Sequence, residues 1–327
     1  MKIGLDIMGG DYAPGEAIKG VKLFFDGSQD SSVHLLLIGI ASAAAPYLSL
    51  LDEYHHRFTF IEAADVIGMD EHPTRAMKEK PNSSMSIGFG MLQAGKADAF
   101  ISAGNTGVMM VGSMYSVKTI DGVLRPCIAS PLPRVDGGYN LLLDVGINAD
   151  CKPAHLVQFA QIGSLYAKHL LGVENPRVAL LNIGEEEGKG NLLCQATYPL
   201  LKELPGINFV GNVEGRDLFL DKAEVIVCEG FVGNIAIKMA ESVYDIFKTQ
   251  KGISDPFLDS FNFEVYGGTP VLGINRPVVK GHGISHANAF RQMIDTTCKF
   301  ISSDLTGAFR THFAPAATEQ AAAASES

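Results

Sequence analysis

The chain has 327 residues, 46% of them hydrophobic, and 26 basic against 36 acidic side chains give a formal net charge of −10. That much apolar material excludes a disordered polypeptide. The negative balance argues against a nucleic-acid binder, which needs a basic face to neutralise phosphates.

In chain order, apolar runs at 3–7, 35–38, 58–61, 99–102, 141–145, 178–183, 208–210 and 225–228 read as strands. Several are apolar throughout, as parallel strands covered on both faces are. Helix-compatible stretches fall between them, at 14–25, 84–93, 106–117, 153–170, 192–203 and 232–248. Pro14 and Pro153 suit a first helical turn, where a missing N–H costs nothing. Residues 33–51 are almost free of charge, but Gly39 and Pro46 interrupt them. They read as a buried strand running into an alanine-rich helix rather than a membrane span, which needs about 20 unbroken apolar residues. The alternation predicts a three-layer α/β/α sandwich around a mostly parallel sheet. One lobed domain is expected over 1–312, with 313–327 a low-complexity, disordered tail. Five scattered cysteines without a C-x-x-C, and an N-terminus without a signal-peptide core, suggest a reduced, cytoplasmic chain.

In such sheets ligands sit beyond the carboxyl ends of the strands. Four strand-end loops there are rich in glycine and small polar residues. They hold Gly9, Gly10 and Asp11; Ser102, Gly104, Asn105, Thr106 and Gly107; Gly184, Gly188, Lys189 and Asn191; and Gly233 with Asn234. Glycine lets backbone N–H groups approach an anion, so the four loops together point to a phosphate site, although Gly-Asn and Gly-Asp pairs also form ordinary turns. No P-loop and no dinucleotide fingerprint is present. Glu185, Glu186 and Glu187 read as a solvated turn more readily than as a magnesium site. Lys189 is either a surface lysine or a cation for phosphate or a developing oxyanion. His282 stands between two glycines with Lys280 two residues earlier, which fits proton delivery into a cleft. Cys151, beside Lys152, is weighed as an acyl-accepting nucleophile against the commoner buried free thiol.

These loops, in this order, resemble the bacterial phosphate acyltransferase family, the acyl-carrier-protein:phosphate transacylases of phospholipid synthesis. The matching segments are 6–14 (D-I-M-G-G-D-Y-A-P), 102–107 (S-A-G-N-T-G), 143–156 (L-D-V-G-I-N-A-D-C-K-P-A-H-L) and 181–191 (L-N-I-G-E-E-E-G-K-G-N). To these add 211–217 (G-N-V-E-G-R-D), 229–234 (E-G-F-V-G-N), 266–268 (Y-G-G) and 280–283 (K-G-H-G). The resemblance implies a phosphotransacetylase-like and isocitrate/isopropylmalate dehydrogenase-like fold, a homodimer, no metal and no other cofactor. It implies acyl-carrier protein and inorganic phosphate as substrates. The acyl phosphate would pass to a glycerol-3-phosphate acyltransferase at the inner face of the membrane. On this scheme Ser102, Gly104, Asn105, Thr106 and Gly107 hold phosphate, Lys189 and Asn234 stabilise charge, and His282 or Lys280 moves the proton. Rival readings are a phosphotransacetylase using acyl-CoA, an oxidative decarboxylase on the same fold, and a non-catalytic scaffold for lipid enzymes.

Two departures from the family pattern stand out. The motifs read Gly146-Ile147-Asn148 and Lys280-Gly281-His282, where the family has alanine in the middle. The segment before Tyr266, residues 249–265, is short, broken by Gly252 and Pro256, and net acidic. Its Phe257, Leu258, Phe261 and Phe263 are candidates for contact with lipid or a second subunit. Acyl-carrier proteins are acidic, so a chain of charge −10 needs a local basic patch to dock one. Arg75, Lys78 and Lys80 are the candidates, with Arg57, Lys248 and Lys251 as possible neighbours.

Overall fold

The computed structural model describes residues 1–28 and 30–314. The strands are β1 (Lys2–Asp6), β2 (His34–Gly39), β3 (Phe58–Glu62), β4 (Ala99–Ser102), β5 (Cys127–Pro133) and β6 (Tyr139–Leu143). They continue as β7 (Arg177–Leu181), β8 (Asn208–Val213), β9 (Val225–Val227), β10 (Gly268–Leu272) and β11 (Val278–Gly281). All form one sheet in the order β3-β2-β1-β4-β11-β10-β5-β6-β9-β7-β8. Pairing is parallel except through β11, β10, β5 and β6, where it is antiparallel. Every predicted strand is present, and the sequence reading missed β5, β10 and β11.

The prolines explain one of those misses. β5 carries Pro131 and Pro133, which normally demote a run to an edge or a loop. Pro131 pairs with Leu141, whose own N–H donates away from β5, to Glu224 O at 2.8 Å. That is a non-hydrogen-bonded pair, so the Pro131 nitrogen faces β10 instead. There pairing stops after Val271–Ile128 and Leu272–Cys127, and no ladder bond is lost. The two halves of the sheet are therefore joined through those two residue pairs and splay apart beyond them.

Helices cover both faces. In chain order they are α1 (Gly15–Gly27), α2 (Ala41–Leu48), α3 (Pro73–Glu79), α4 (Ser84–Gln93), α5 (Thr106–Gly112) and α6 (Pro153–Leu171). Then come α7 (Leu192–Lys202), α8 (Gly230–Tyr244), α9 (Pro256–Asp259), α10 (Phe263–Tyr266), α11 (Ala287–Ser302) and α12 (Leu305–Phe313). Alternate residues of one strand feed opposite cores, because successive side chains point to opposite faces. In β2, Leu35 and Leu37 pack with α1 and α11 residues, and Leu36 and Ile38 pack with α4 residues. In β6, Leu141 and Leu143 join the α6 core, and Leu142 joins the α8 side. Burying each such leucine contributes about 1.5–3 kcal/mol. Both faces being apolar is what made these strands legible as continuous runs.

Pro153 opens α6 as predicted. The predicted disordered tail begins too early, since Phe313 ends α12 with its ring buried in the α6 core. The rest of that expectation, 315–327, lies outside the described residues. Among the described residues no helix is long and apolar enough to cross a membrane.

Candidate active site

The cleft opens where β5 and β10 part, at the carboxyl ends of β1, β4 and β6. It encloses about 630 Å³. Each half of the sheet hangs its cleft loop on a buried aspartate. In the first half Asp6 accepts from Ser102 Oγ at 2.6 Å and from the Met8 N–H at 3.0 Å. In the second half Asp144 accepts from the N–H groups of Ile128 (2.9 Å) and Asn148 (2.7 Å) and from Asn148 Nδ2 (2.9 Å). Burial raises the pKa of both carboxyls, and these donors pull each back toward the charged form.

Of the residues expected to act, the fold brings Asp11, Thr106, Asn234, Lys280 and His282 together on the cleft wall. Lys280 comes from β11, antiparallel to Thr269 of β10, which also lines the cleft. Burial lowers the Lys280 pKa, and Glu241, another wall residue, works against that shift. Glu241 is itself pushed up by burial and drawn down by Lys280 and Lys238. His282 stands at the rim with its pKa lowered by burial and by the Lys280 charge. The imidazole is therefore neutral near pH 7 and suited to accept a proton. Asn234 sits on α8 opposite the Gly146 turn.

Other expectations need correction. Ser102 is fully buried; its hydroxyl donates to Asp6 and accepts the Gly104 N–H at 2.9 Å, so neither group is left for phosphate. Asn105 is a staple and not a catalytic group. Its Oδ1 caps α5 by accepting from Val108 N, and its Nδ2 donates to the carbonyls of Gly68, Met69 and Glu71 at 3.0–3.1 Å. Gly9 is required by packing, since a Cβ there would lie 2.6 Å from Gly104 N. Gly10 lies beside the Gly283 carbonyl, and Gly107 packs on Pro73 of α3. Gly233 is likewise a packing residue, because a side chain would overlap the Asp144 carbonyl.

The loop after β7 does not wall the cleft. Its Glu185 and Glu187 pair outward with Lys222 and Lys202, both at 3.0 Å. Gly184 packs against Glu186 and the Lys189 stem, and the Gly188 carbonyl accepts from Gln195. Asn191 caps α7 through Cys194 N at 2.9 Å. Lys189 is exposed on this loop, at the carboxyl edge of the sheet two strands from β6. Among the described residues, no three His, Cys, Asp or Glu side chains converge to hold a metal ion.

Cys151 lacks the surroundings that activate a nucleophilic thiol. Burial and then Asp144 push its pKa up to about 12, so the thiolate is essentially absent at neutral pH. Cys151→Ser is expected to keep at least half the activity. A hundredfold loss in a folded variant would reinstate it.

The wall residues that sequence reasoning missed, Ser130 and Thr269, sit on the proline- and glycine-bearing strands that went unread. Lys238 and Glu241 were missed because nothing local showed that one stripe of α8 faces the cleft.

The comparisons with known proteins agree with this architecture. A family model described as "Fatty acid synthesis protein" matches residues 1–252. A protein named "Phosphate acyltransferase" from Heliobacterium modesticaldum is 39% identical over 95% of this chain and 97% of its own length. One of the same name from Desulforamulus reducens is 42% identical over 95% and 96%. The chain belongs to the phosphate acyltransferase family. Among solved structures, a phosphotransacetylase from Streptococcus pyogenes superposes with a TM-score of 0.61 at 19% identity, covering 92% of this chain and 94% of the other. A 4-hydroxythreonine-4-phosphate dehydrogenase from Klebsiella pneumoniae gives 0.52 at 11% identity over 90% and 96%. Those likenesses place this member of an enzyme family on the phosphotransacetylase fold.

Proposed function

We propose that the chain transfers a long-chain acyl group from an acyl-carrier protein thioester to inorganic phosphate. The observation that carries this reading is a lysine ammonium sunk into a cleft whose other walls offer hydroxyl and amide donors, in a phosphate acyltransferase. Lys280 and the Thr106 and Thr269 hydroxyls hold the phosphate, with one oxygen toward the thioester carbonyl. Neutral His282 takes the proton of that oxygen as it attacks. The new C–O bond leaves a tetrahedral oxyanion, stabilised by Asn234 and the Lys280 charge. Collapse breaks the C–S bond, and His282 returns its proton to the leaving thiolate. The products are acyl phosphate and free carrier thiol. Lys189, exposed on the loop after β7, lies outside the cleft wall and takes no part in this step. The same reading carries a cytoplasmic homodimer that hands acyl phosphate to a glycerol-3-phosphate acyltransferase at the membrane.

The deciding assay is phosphate-dependent consumption of hexadecanoyl-acyl-carrier protein by the purified chain, with acyl phosphate trapped by hydroxylamine. Turnover of the carrier donor at least tenfold above that of hexadecanoyl-CoA supports the proposal. Turnover of acyl-CoA alone makes the chain a phosphotransacetylase, and no acyl phosphate from either donor overturns the reading.

Carrier docking falls to α3, which packs through Pro73 on α5 beside Thr106 of the cleft wall. Arg75 is exposed and, among the described residues, pairs with Glu79 alone, an i,i+4 contact that solvent screens. Lys78 is exposed as well. Lys80 leaves the patch, being held by Glu71 at 2.6 Å and by the Val66 carbonyl. Arg57 leaves it too, buried over the Phe25 ring with its guanidinium donating to Ser28 and Asp30 carbonyls. Lys248 is taken by Asp259. The double variant Arg75→Glu with Lys78→Glu is expected to raise KM for the carrier donor about tenfold at low salt, with kcat unchanged. The difference shrinks at high salt, because these charges are exposed. An unchanged KM would refute the patch.

A further inference from the structure

Helix α8 has two working stripes. Asn234, Ile237, Lys238 and Glu241 face the cleft. The adjoining stripe, Val232, Ile235, Ala236, Met239 and Val243, walls a second cavity of about 550 Å³. Leu218, Phe219, Phe257, Leu258 and Phe261 close its far side. The segment expected to project its aromatic residues outward thus turns several of them inward, and Phe261 is buried. Phe261 stacks edge-on against Phe219 at 5.2 Å and Phe257 at 5.0 Å, making one aromatic wall. Ala240 and Phe261 line both cavities.

We propose that this second cavity holds the hydrocarbon chain of the acyl donor, which enters from the cleft between Ala240 and Phe261. The assignment rests on the acyl-transfer reading and adds the residues that set chain length. An acyl chain extending from a carbonyl beside Lys280 meets Asp11, Thr106 and His282 on one side. On the other it meets a methyl group and an aromatic ring, with an apolar chamber behind them. Val232, Ile235, Met239 and Val243 are exposed, so this chamber is an apolar groove open to solvent on the α8 side. A chamber of ligand size, lined by aliphatic and aromatic side chains and adjoining a charged cleft, is the form of a two-part substrate site. Ala240 is the small residue at the passage, and Ala236 stands on the chamber wall away from the cleft. Each methylene buried there is worth about fourfold in kcat/KM.

The test compares hexadecanoyl and butanoyl donors on the same carrier protein. The wild-type chain is expected to favour hexadecanoyl at least a hundredfold in kcat/KM. Ala236→Phe, which fills the chamber by roughly three methylenes, lowers that ratio about 60-fold. Ala240→Leu lowers it by narrowing the passage, and an unchanged thermal midpoint reports that each variant is folded. If the wild-type chain uses neither donor, the acyl-transfer reading fails. If it uses both and the ratio stays within threefold in both variants, the chamber assignment fails while the transfer reading stands. A change in sedimentation with Ala236→Phe, the ratio being kept, would instead give this face to a second copy of the chain and overturn the chain site.

Discussion

Lys280→Met is expected to lower kcat/KM for acyl phosphate formation by about 10²–10³, with thermal stability unchanged or raised. The activity loss follows from removing a preorganised charge at the point where an oxyanion develops, an effect of that size for a single donor. The stability forecast follows from burial. The Lys280 pKa is lowered, so holding its ammonium in the cleft works against folding, and methionine fills a similar volume without charge. The same shift fixes a pH signature. Activity that depends on the ammonium falls on the alkaline side below the ordinary lysine range of about 10.4. Lys280→Arg, which keeps its charge at all accessible pH, should move that limb upward while retaining part of the rate. A Lys280→Met variant within threefold of wild type would remove Lys280 from the chemistry.

The second large effect is structural. Asp144→Ala is expected to cost about 3–5 kcal/mol, read as a lowered urea midpoint. The carboxylate serves the N–H groups of Ile128 and Asn148 and the Asn148 amide, all from inside the protein. Alanine leaves the Ile128 and Asn148 N–H groups without an acceptor, at about 1–3 kcal/mol apiece, while Asn148 Nδ2 keeps the Pro126 carbonyl. Asp144→Asn, of the same shape, keeps one acceptor oxygen and should lose about half as much. The cleft would suffer as well, because Val145 and Gly146 of the same turn line it. A loss under 1 kcal/mol for alanine would show that the turn is held elsewhere.

The sequence was most informative where burial is uniform. Leu35 to Ile38 and Leu141 to Leu143 are apolar on both faces, so neither period nor partner had to be known. It was least informative where a residue type admits two uses. Ser102 and Asn105 have the composition of a phosphate loop, yet their hydrogen bonds run to Asp6 and to the 68–71 carbonyls. Composition tells how many donors exist, and only the fold tells where they point. Lys280 and His282 were legible because glycine flanks them, whereas their partners Thr269 and Glu241 depended on β10 and on the rotation of α8. Phe261 illustrates the same limit: an aromatic residue in a broken segment reads as surface until Phe219 is seen beside it.

The join between the halves of the sheet has a mechanical consequence. Backbone bonds cross it at one end only, at Val271–Ile128 and Leu272–Cys127, and the hydrophobic core behind them draws on both halves through Leu272, Phe300 and Leu156. The molecule is therefore stiff at that end and compliant at the other, like a pair of tongs. Any narrowing of the mouth is a rotation about the fixed end. Lys280 on one arm and Asn234 on the other would approach along an arc, and the water between them would leave through the open side.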